Sequence, residues 1–411
     1  MKTAILSVGT EILFGQIENT NTSYLSRELN TLGHDVMYHY TVGDNPDRLK
    51  DMIKLAFRDC DLIITTGGLG PTEDDLTKEV ACETLHDELV LNDEAMKTLK
   101  LRFKEFRSNM TPNNIKQAYF PSRAKILKNP QGTAPGFALE ENGKTIICMP
   151  GPPREMKYMY QHEVKPYLES RSDSVIFYKT IKTYGIGESQ LETDLLDLID
   201  AQDDPTLATY AKEGEAQLRI ASKRKTKAEA EKAVDEMLAK VRERIGKYIY
   251  STDDESLAEV VGKKLIEKDI TISSAESCTG GLFAKTLIDI PGISQVFDRG
   301  LVTYSNTAKE QELGVKHETL EKFGAVSEET AREMSEGLAN VSGSDICVSV
   351  TGVAGPDGGT EEKPVGLVYI GVTFEGKTKV IERRFRNISR AWIRNASMLA
   401  MMAQVNSLLG E

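Results

Sequence analysis

Short β-branched runs and amphipathic stretches alternate from the amino terminus onward, and few folds accept that order. Residues 4–8 read as a strand, 22–31 as a helix ended by Gly33, and 36–42 as a second strand. Asn45-Pro46 opens a helix running to about residue 58, in the cap-then-proline order that suits a first turn. Asp61-Leu62-Ile63-Ile64-Thr65-Thr66 has the make-up of a buried parallel strand. The alternation predicts a doubly wound α/β sheet, a class whose ligands lie beyond the carboxyl ends of the strands.

Three loops fall at those ends. One is Gly9-Thr10-Glu11, with residues 15–21 behind it, Asn21 included. The second is Gly67-Gly68-Leu69-Gly70-Pro71-Thr72-Glu73-Asp74-Asp75. The third follows a strand at 145–148 and reads Met149-Pro150-Gly151-Pro152-Pro153-Arg154-Glu155. In the second loop, glycines allow close backbone approach, and a carboxylate cluster suits a phosphorylated ligand carrying a divalent metal. A tight turn running into an acidic helix start has the same signature. The spacing G-x-x-x-x-G-K-[ST] is absent, so this is not a P-loop. The candidate ligand contacts are Glu11, Asn21, Gly67, Gly68, Gly70, Pro71, Thr72 and Gly151, with Asp74 and Asp75 as metal ligands.

A charged helical stretch spans residues 91–107, and 109–121 is less regular. Polar composition at residues 169–174 marks a boundary. A small α+β block follows: a strand at 174–184, a helix at 188–199, a strand at 217–222 and an Ala/Lys/Glu helix at 226–245. Ser251-Thr252-Asp253-Asp254-Glu255 reads as a linker and a capped helix start, and Leu257, Val260, Val261 and Leu265 as core.

In the third block a strand at 270–274 runs into Ala275-Glu276-Ser277-Cys278-Thr279-Gly280-Gly281 and then a helix at 282–288. Thr279 reads as the N-cap, and Gly280 and Gly281 permit a sharp turn. The loop would aim N–H groups and the positive helix end at one spot, where an oxyanion or phosphate is stabilised. Ser277 is the candidate nucleophile; a plain Ser/Thr/Gly helix start is the alternative. The block's one histidine, His317, sits in an apparent surface turn, so a Ser-His-Asp triad is not expected. A lysine made neutral by burial can replace histidine, and Lys309 lies just past a strand end with Tyr304, a candidate proton relay, and Asn306. Cys278 is the other possible nucleophile, although small cysteines of this kind are more often buried. The loop at 352–360 holds four glycines, Gly352, Gly355, Gly358 and Gly359, after Thr351, and its length favours a ligand. Strands at 366–374 and 378–385 form a hairpin, and a closing helix runs from about residue 390 to 409.

With 411 residues the chain should hold two or three domains. Its net charge of −12 argues against a general nucleic-acid or membrane-surface binder. Five scattered cysteines without a C-x-x-C pair suit a reducing cytoplasm and argue against a zinc cage. Met1-Lys2 leads into an apolar run too short for a signal peptide, and nothing is long enough to span a membrane.

The run Val8-Gly9-Thr10-Glu11-Ile12-Leu13-Phe14-Gly15, with residues 65–77, 149–156, 275–281, 303–309 and 349–366, resembles the competence/damage-inducible protein A (CinA) family along the full chain. The resemblance implies a doubly wound molybdopterin-binding-like α/β domain at 1–170, a small α+β KH-like domain at 171–250 and a C-terminal α/β/α amidase-type domain at 251–411. It implies nicotinamide mononucleotide deamidation at the C-terminal end, with Ser277, Tyr304 and Lys309 at the family's serine, tyrosine and lysine. Thr279, Gly280, Gly281, Asn306, Thr351 and the glycines of loop 352–360 would contact substrate, with no cofactor. At the N-terminal end it implies a metal-dependent ADP-ribose pyrophosphatase, and for the whole chain a homodimer. Gly185-Ile186-Gly187 lacks the G-x-x-G spacing of a nucleic-acid-binding KH loop, so the middle block reads as structural. The competing functions are a molybdenum-cofactor assembly protein and a non-catalytic competence or DNA-repair scaffold.

Overall fold

The structure is a computed structural model that describes residues 1–171, 174–212 and 214–410. Of the expected boundary stretch, Ser172 and Asp173 lie outside the described residues. The chain parts into two compact units, residues 1–178 with 222–233, and residues 179–221 with 234–411.

The first unit is built on a six-stranded sheet. Its strands are β1 (Lys2–Val8), β2 (Asp35–Val42), β3 (Leu62–Thr66), β4 (Lys125–Leu127), β5 (Gly136–Glu141) and β6 (Lys144–Met149), in the order β2-β1-β3-β6-β5-β4. The first four in that order run parallel; β5 pairs antiparallel with β6, and β4 pairs antiparallel with β5. Side chains alternate faces along a strand, so Ala4, Leu6 and Val8 enter one core cluster while Ile5 enters the other. Burial on both faces is why β3 carries no polar alternation. The helix Pro46–Asp59 starts where expected: Asn45 caps it by accepting from the Arg48 N–H at 3.0 Å. From β1 the chain moves to β2 on one side and then to β3 on the other, which puts a topological switch point between β1 and β3.

The second unit carries a five-stranded sheet and most of a four-stranded one. The four-stranded sheet contains β7 (Val175–Thr183), β8 (Thr206–Lys212), β9 (Glu215–Arg224) and β10 (Ile249–Ser251), in the order β8-β9-β7-β10. β8 was not foreseen; its residues are half exposed, and without a continuous apolar face it reads as loop. The expected helix at 188–199 breaks at Leu195 into Glu188–Asp194 and Leu196–Asp200. Ser251 is no linker residue but ends β10, and Ser256 caps the next helix, Leu257–Lys268, with Glu259 completing the box.

The five-stranded sheet contains β11 (Ile272–Glu276), β12 (Phe297–Val302), β13 (Ile346–Gly352), β14 (Leu367–Phe374) and β15 (Lys377–Arg384), in the order β12-β11-β13-β14-β15. β11 is parallel to both neighbours, and β14 and β15 form the expected hairpin around Glu375-Gly376. Here too the chain leaves β11 for β12 on one side and reaches β13 on the other. The long closing helix Arg390–Gly410 buries Ile393, Ala400, Met401 and Val405 in the core of this block. Among the described residues, no helix is long and apolar enough to cross a membrane.

Candidate active site

β11 is two residues longer at its end than its composition suggested, and this sets the nucleophile loop. Glu276 is the last strand residue, fully buried, and registered between Val302 and Val350. The next residue, Ser277, is fixed by its N–H donating to the Val350 carbonyl at 3.0 Å. The Glu276 carboxylate accepts from the Phe283 and Ala284 N–H groups at 3.1 and 2.9 Å, and from the Thr279 hydroxyl at 2.7 Å. The N–H groups expected to hold a ligand anion are therefore already capped from within, an arrangement worth about 0.5–2 kcal/mol in ordinary caps. Thr279 is not the N-cap. Gly281 is, at φ 88°, in a left-handed conformation that a side chain resists. The Gly280 N–H closes a turn onto the Ser277 carbonyl at 3.1 Å, so the glycine expected to supply an oxyanion donor is engaged as well. Among the described residues the Thr279 and Gly281 N–H groups have no acceptor.

Lys309 faces this loop from the helix Asn306–Leu313, which Ser305 caps. It is not the exposed helix lysine that most lysines are. Its side chain is fully buried, with Nζ 3.2 Å from Ser277 Oγ, 2.8 Å from the Thr303 carbonyl and 3.2 Å from the Tyr304 carbonyl. Burial pushes the ammonium pKa below its ordinary value. Burial also pushes the Cys278 thiol up to about 12, so at neutral pH this cysteine stays protonated and inert. His317 is exposed and paired with Glu310 and Glu321, away from this pair.

Tyr304 is placed differently from the relay role expected of it. Its ring is 61% exposed, and its hydroxyl accepts from Arg390 at 3.1 Å. Only its carbonyl meets Lys309. Thr351 also departs from expectation: it is buried, and its hydroxyl donates to the Ala325 carbonyl at 2.7 Å. Asn306 is exposed at the first turn of its helix. Of the glycines in loop 352–360, Gly355 has its carbonyl held by Arg390 at 2.7 Å, Gly358 is open, and Gly352 and Gly359 pack on Val368 and Val365. Two residues of the site escaped sequence reading. Arg390 and Arg394 lie four apart on one helix face, and Arg394 donates twice to the Thr279 carbonyl, at 2.6 and 3.2 Å. Their spacing was the available signal.

The switch point of the first unit gathers the three loops around a cavity of about 340 Å³. Gly67, Gly68, Gly70, Pro71, Gly151, Glu11, Asp74 and Asp75 all line it. Gly67 has φ 110°, and a Cβ there would stand 2.0 Å from the Val8 carbonyl oxygen, so only glycine fits. Asn21 is buried and ties the loops together, donating to Thr66 Oγ1 at 2.9 Å and to the Gly151 carbonyl at 2.7 Å. Its Oδ1 has no partner among the described residues. Thr72 is exposed and donates through N–H and hydroxyl to Asp75. The Asp74 carboxyl is exposed and held below its ordinary range by the nearby Thr72 side chain, whose hydroxyl proton Asp75 also claims, and by its own backbone N–H. No three acidic, histidine or cysteine residues among the described residues are preassembled for a metal. Sequence reading missed Asp44 in the cavity wall, which holds Thr10 through N–H and hydroxyl at 2.9 and 2.7 Å.

Three family models match in tandem. Residues 4–170 match a probable molybdopterin binding domain, 178–251 the KH domain of damage-inducible protein CinA, and 254–409 the CinA C-terminal domain. A putative competence-damage inducible protein of Clostridium perfringens is 52% identical over 98% of this chain and 97% of its own length. The chain belongs to the CinA family. Another relative, from Acetivibrio thermocellus, is 49% identical over 97% of this chain and 96% of its own. A CinA-like protein of Dictyoglomus turgidum is 50% identical over 93% of each chain. Among solved structures, a competence/damage inducible protein from Agrobacterium tumefaciens is 41% identical, covers 38% of this chain and 98% of its own, and has a TM-score of 0.37. This CinA chain thus joins a molybdopterin-binding-like α/β domain, a KH-like middle domain and a CinA C-terminal domain.

Proposed function

We propose that the C-terminal domain is an amidohydrolase that converts nicotinamide mononucleotide to nicotinic acid mononucleotide and ammonia. The observation that carries this reading is the buried Ser277–Lys309 pair, 3.2 Å apart, with the lysine pKa lowered by burial. Neutral Lys309 accepts the Ser277 proton as Oγ attacks the amide carbon. The oxyanion forms against the Thr279 and Gly281 N–H groups. Collapse breaks the C–N bond, and Lys309 returns its proton to the departing ammonia. Lys309 then deprotonates a water that attacks the acyl-serine, and passes that proton to Ser277 Oγ as the ester bond breaks. Arg390 and Arg394 supply the charge a substrate phosphate requires, and the exposed Tyr304 ring offers a face to the cationic pyridinium. Ammonia release from nicotinamide mononucleotide tests the reading; a folded, full-length protein that releases none refutes it.

For the N-terminal domain we propose metal-dependent cleavage of the pyrophosphate of ADP-ribose. The glycine loops and the carboxylates around the cavity support it. The donors are all oxygen, without a preassembled triad, which fits a hydrated divalent cation shared with substrate phosphates rather than an all-protein cage. Asp74 and Asp75 would hold that cation, which when bound offsets charge on the bridging oxygens. A pterin ligand is the second reading, favoured by the match to a probable molybdopterin binding domain. Cleavage of ADP-ribose separates the two.

A further inference from the structure

Lys116 takes no part in the chemistry proposed above, yet its ammonium grips the loop that carries Asp74 and Asp75. It lies in the short turn Pro112–Ala118, whose backbone is itself fixed. Buried Asn114 accepts from the Thr111 N–H at 2.8 Å, and buried Lys78 donates to the Lys116 carbonyl at 3.2 Å. The next residue, Gln117, is buried in the cavity wall and donates to Thr133 at 3.3 Å. From this base Lys116 Nζ donates to the Thr72 carbonyl at 3.2 Å and to the Asp75 carbonyl at 2.5 Å. Glu79 Oε1 stands 3.3 Å away. Two carbonyls and a carboxylate thus match the three donors of an ammonium.

The gripped stretch is closed from within as well. Asp75 accepts from the Thr72 N–H at 2.9 Å and from the Thr72 hydroxyl, and its own N–H donates to the Thr72 carbonyl at 3.2 Å. Just beyond it, the Thr77 N–H and hydroxyl hold the Gly68 and Gly67 carbonyls at 3.1 and 2.9 Å. Glu73 and Asp74 stand exposed between the two carbonyls that Lys116 holds. Carboxylates crowded into one loop repel, and a cation bonded to the loop's own backbone offsets that repulsion. A loop ordered beforehand also spares a ligand the cost of ordering it.

We propose that Lys116 is a positioning residue, which holds residues 72–75 so that Asp74 and Asp75 meet a divalent cation in one geometry. The proposal rests on the metal-dependent reading of that loop. Two effects of opposite sign decide it. As a neighbouring charge alone, Lys116 repels the cation, so its removal would tighten metal binding. As a clamp, its removal frees the loop and weakens metal binding by about tenfold or more, the scale on which groups supporting metal ligands act. Titration of the full chain with Mn²⁺ and no substrate, read by electron paramagnetic resonance, measures that affinity, and loss of the tightest site in Asp74→Asn assigns it to this loop. Hydrogen exchange of residues 70–77 without metal reads the loop itself, and exchange elsewhere in the chain reports the fold. Lys116→Met should raise the Kd of the assigned site by about tenfold and speed loop exchange to a similar degree. Lys116→Arg, whose fork can donate to both carbonyls, should recover most of both, which a role in packing alone would not require. Mn²⁺ binding that is unchanged or tighter in Lys116→Met, or loop exchange that does not move, overturns the clamp. If the wild type binds no Mn²⁺ and cleaves no ADP-ribose while loop exchange responds as expected, the clamp on the loop stands and the pyrophosphatase reading falls.

Discussion

Lys309 is fully buried and meets no carboxylate among the described residues, only two carbonyls and the Ser277 hydroxyl. That environment disfavours the ammonium and makes the free amine available as a base. The sign of the pH dependence follows. Below its lowered pKa, Lys309 is protonated and cannot accept the serine proton. kcat/KM for deamidation should therefore rise with pH through that pKa and level off above it. A flat profile would reject the lysine as base. Lys309→Arg should abolish activity, because a guanidinium stays protonated. Ser277→Ala should remove at least about three orders of magnitude of turnover, as loss of a nucleophile does, whereas Cys278→Ser should keep most of it; measurement of ammonia release decides both. The serine and lysine were legible as residue types at strand ends. Their contact was not, since it joins positions 32 apart in sequence. Nor was the role of Tyr304 legible, because its hydroxyl answers to Arg390, which lies 86 residues away.

At the scale of elements, the end of β11 and the start of the closing helix shape the Ser277–Lys309 site together. Glu276 holds the first N–H groups of helix Leu282–Ile288, and Arg394 holds the Thr279 carbonyl, so the nucleophile loop is gripped from both sides. Glu276→Gln keeps the size but weakens two charge-assisted bonds. It should lower kcat by about tenfold, for a loss of about 1–2 kcal/mol in loop positioning, with thermal stability falling in parallel. Unchanged kcat would mean that the loop needs no such anchor. Arg390→Ala and Arg394→Ala should raise KM for nicotinamide mononucleotide by about tenfold or more, as loss of a charged hydrogen bond does. Retained KM in both variants would move the phosphate elsewhere. Sequence placed this helix and its loop but misassigned the cap. Thr279 is a good N-cap by type, yet a carboxylate arriving from the strand outcompetes it, and that approach depends on where β11 stops. The missed strand Thr206–Lys212 has the same origin: its pairing with Glu215–Arg224, rather than its own composition, makes it a strand.

Across the whole molecule, each of the two outer domains uses a switch point where neighbouring strands depart in opposite directions, and each candidate site sits there. This was the most legible feature, because strand–helix alternation with glycines at the carboxyl ends leaves little topological choice. On the proposed readings, the metal-dependent and metal-free chemistries would fall to different residues in different units. Chelator should therefore stop ADP-ribose cleavage and spare deamidation, Asp75→Asn should act like the chelator, and Ser277→Ala should do the reverse. Loss of both activities on chelation would refute this division. On the proposed chemistry, Glu276 also bears on how turnover ends: deamidation would turn a neutral amide into a carboxylate at Ser277, one residue along the chain from buried Glu276 and inside a chain of net charge −12. Like charges at short range repel, most strongly where water is scarce. The site would thus be biased to eject what it makes, and an acid product should inhibit it far more weakly than an uncharged amide analogue of the same shape.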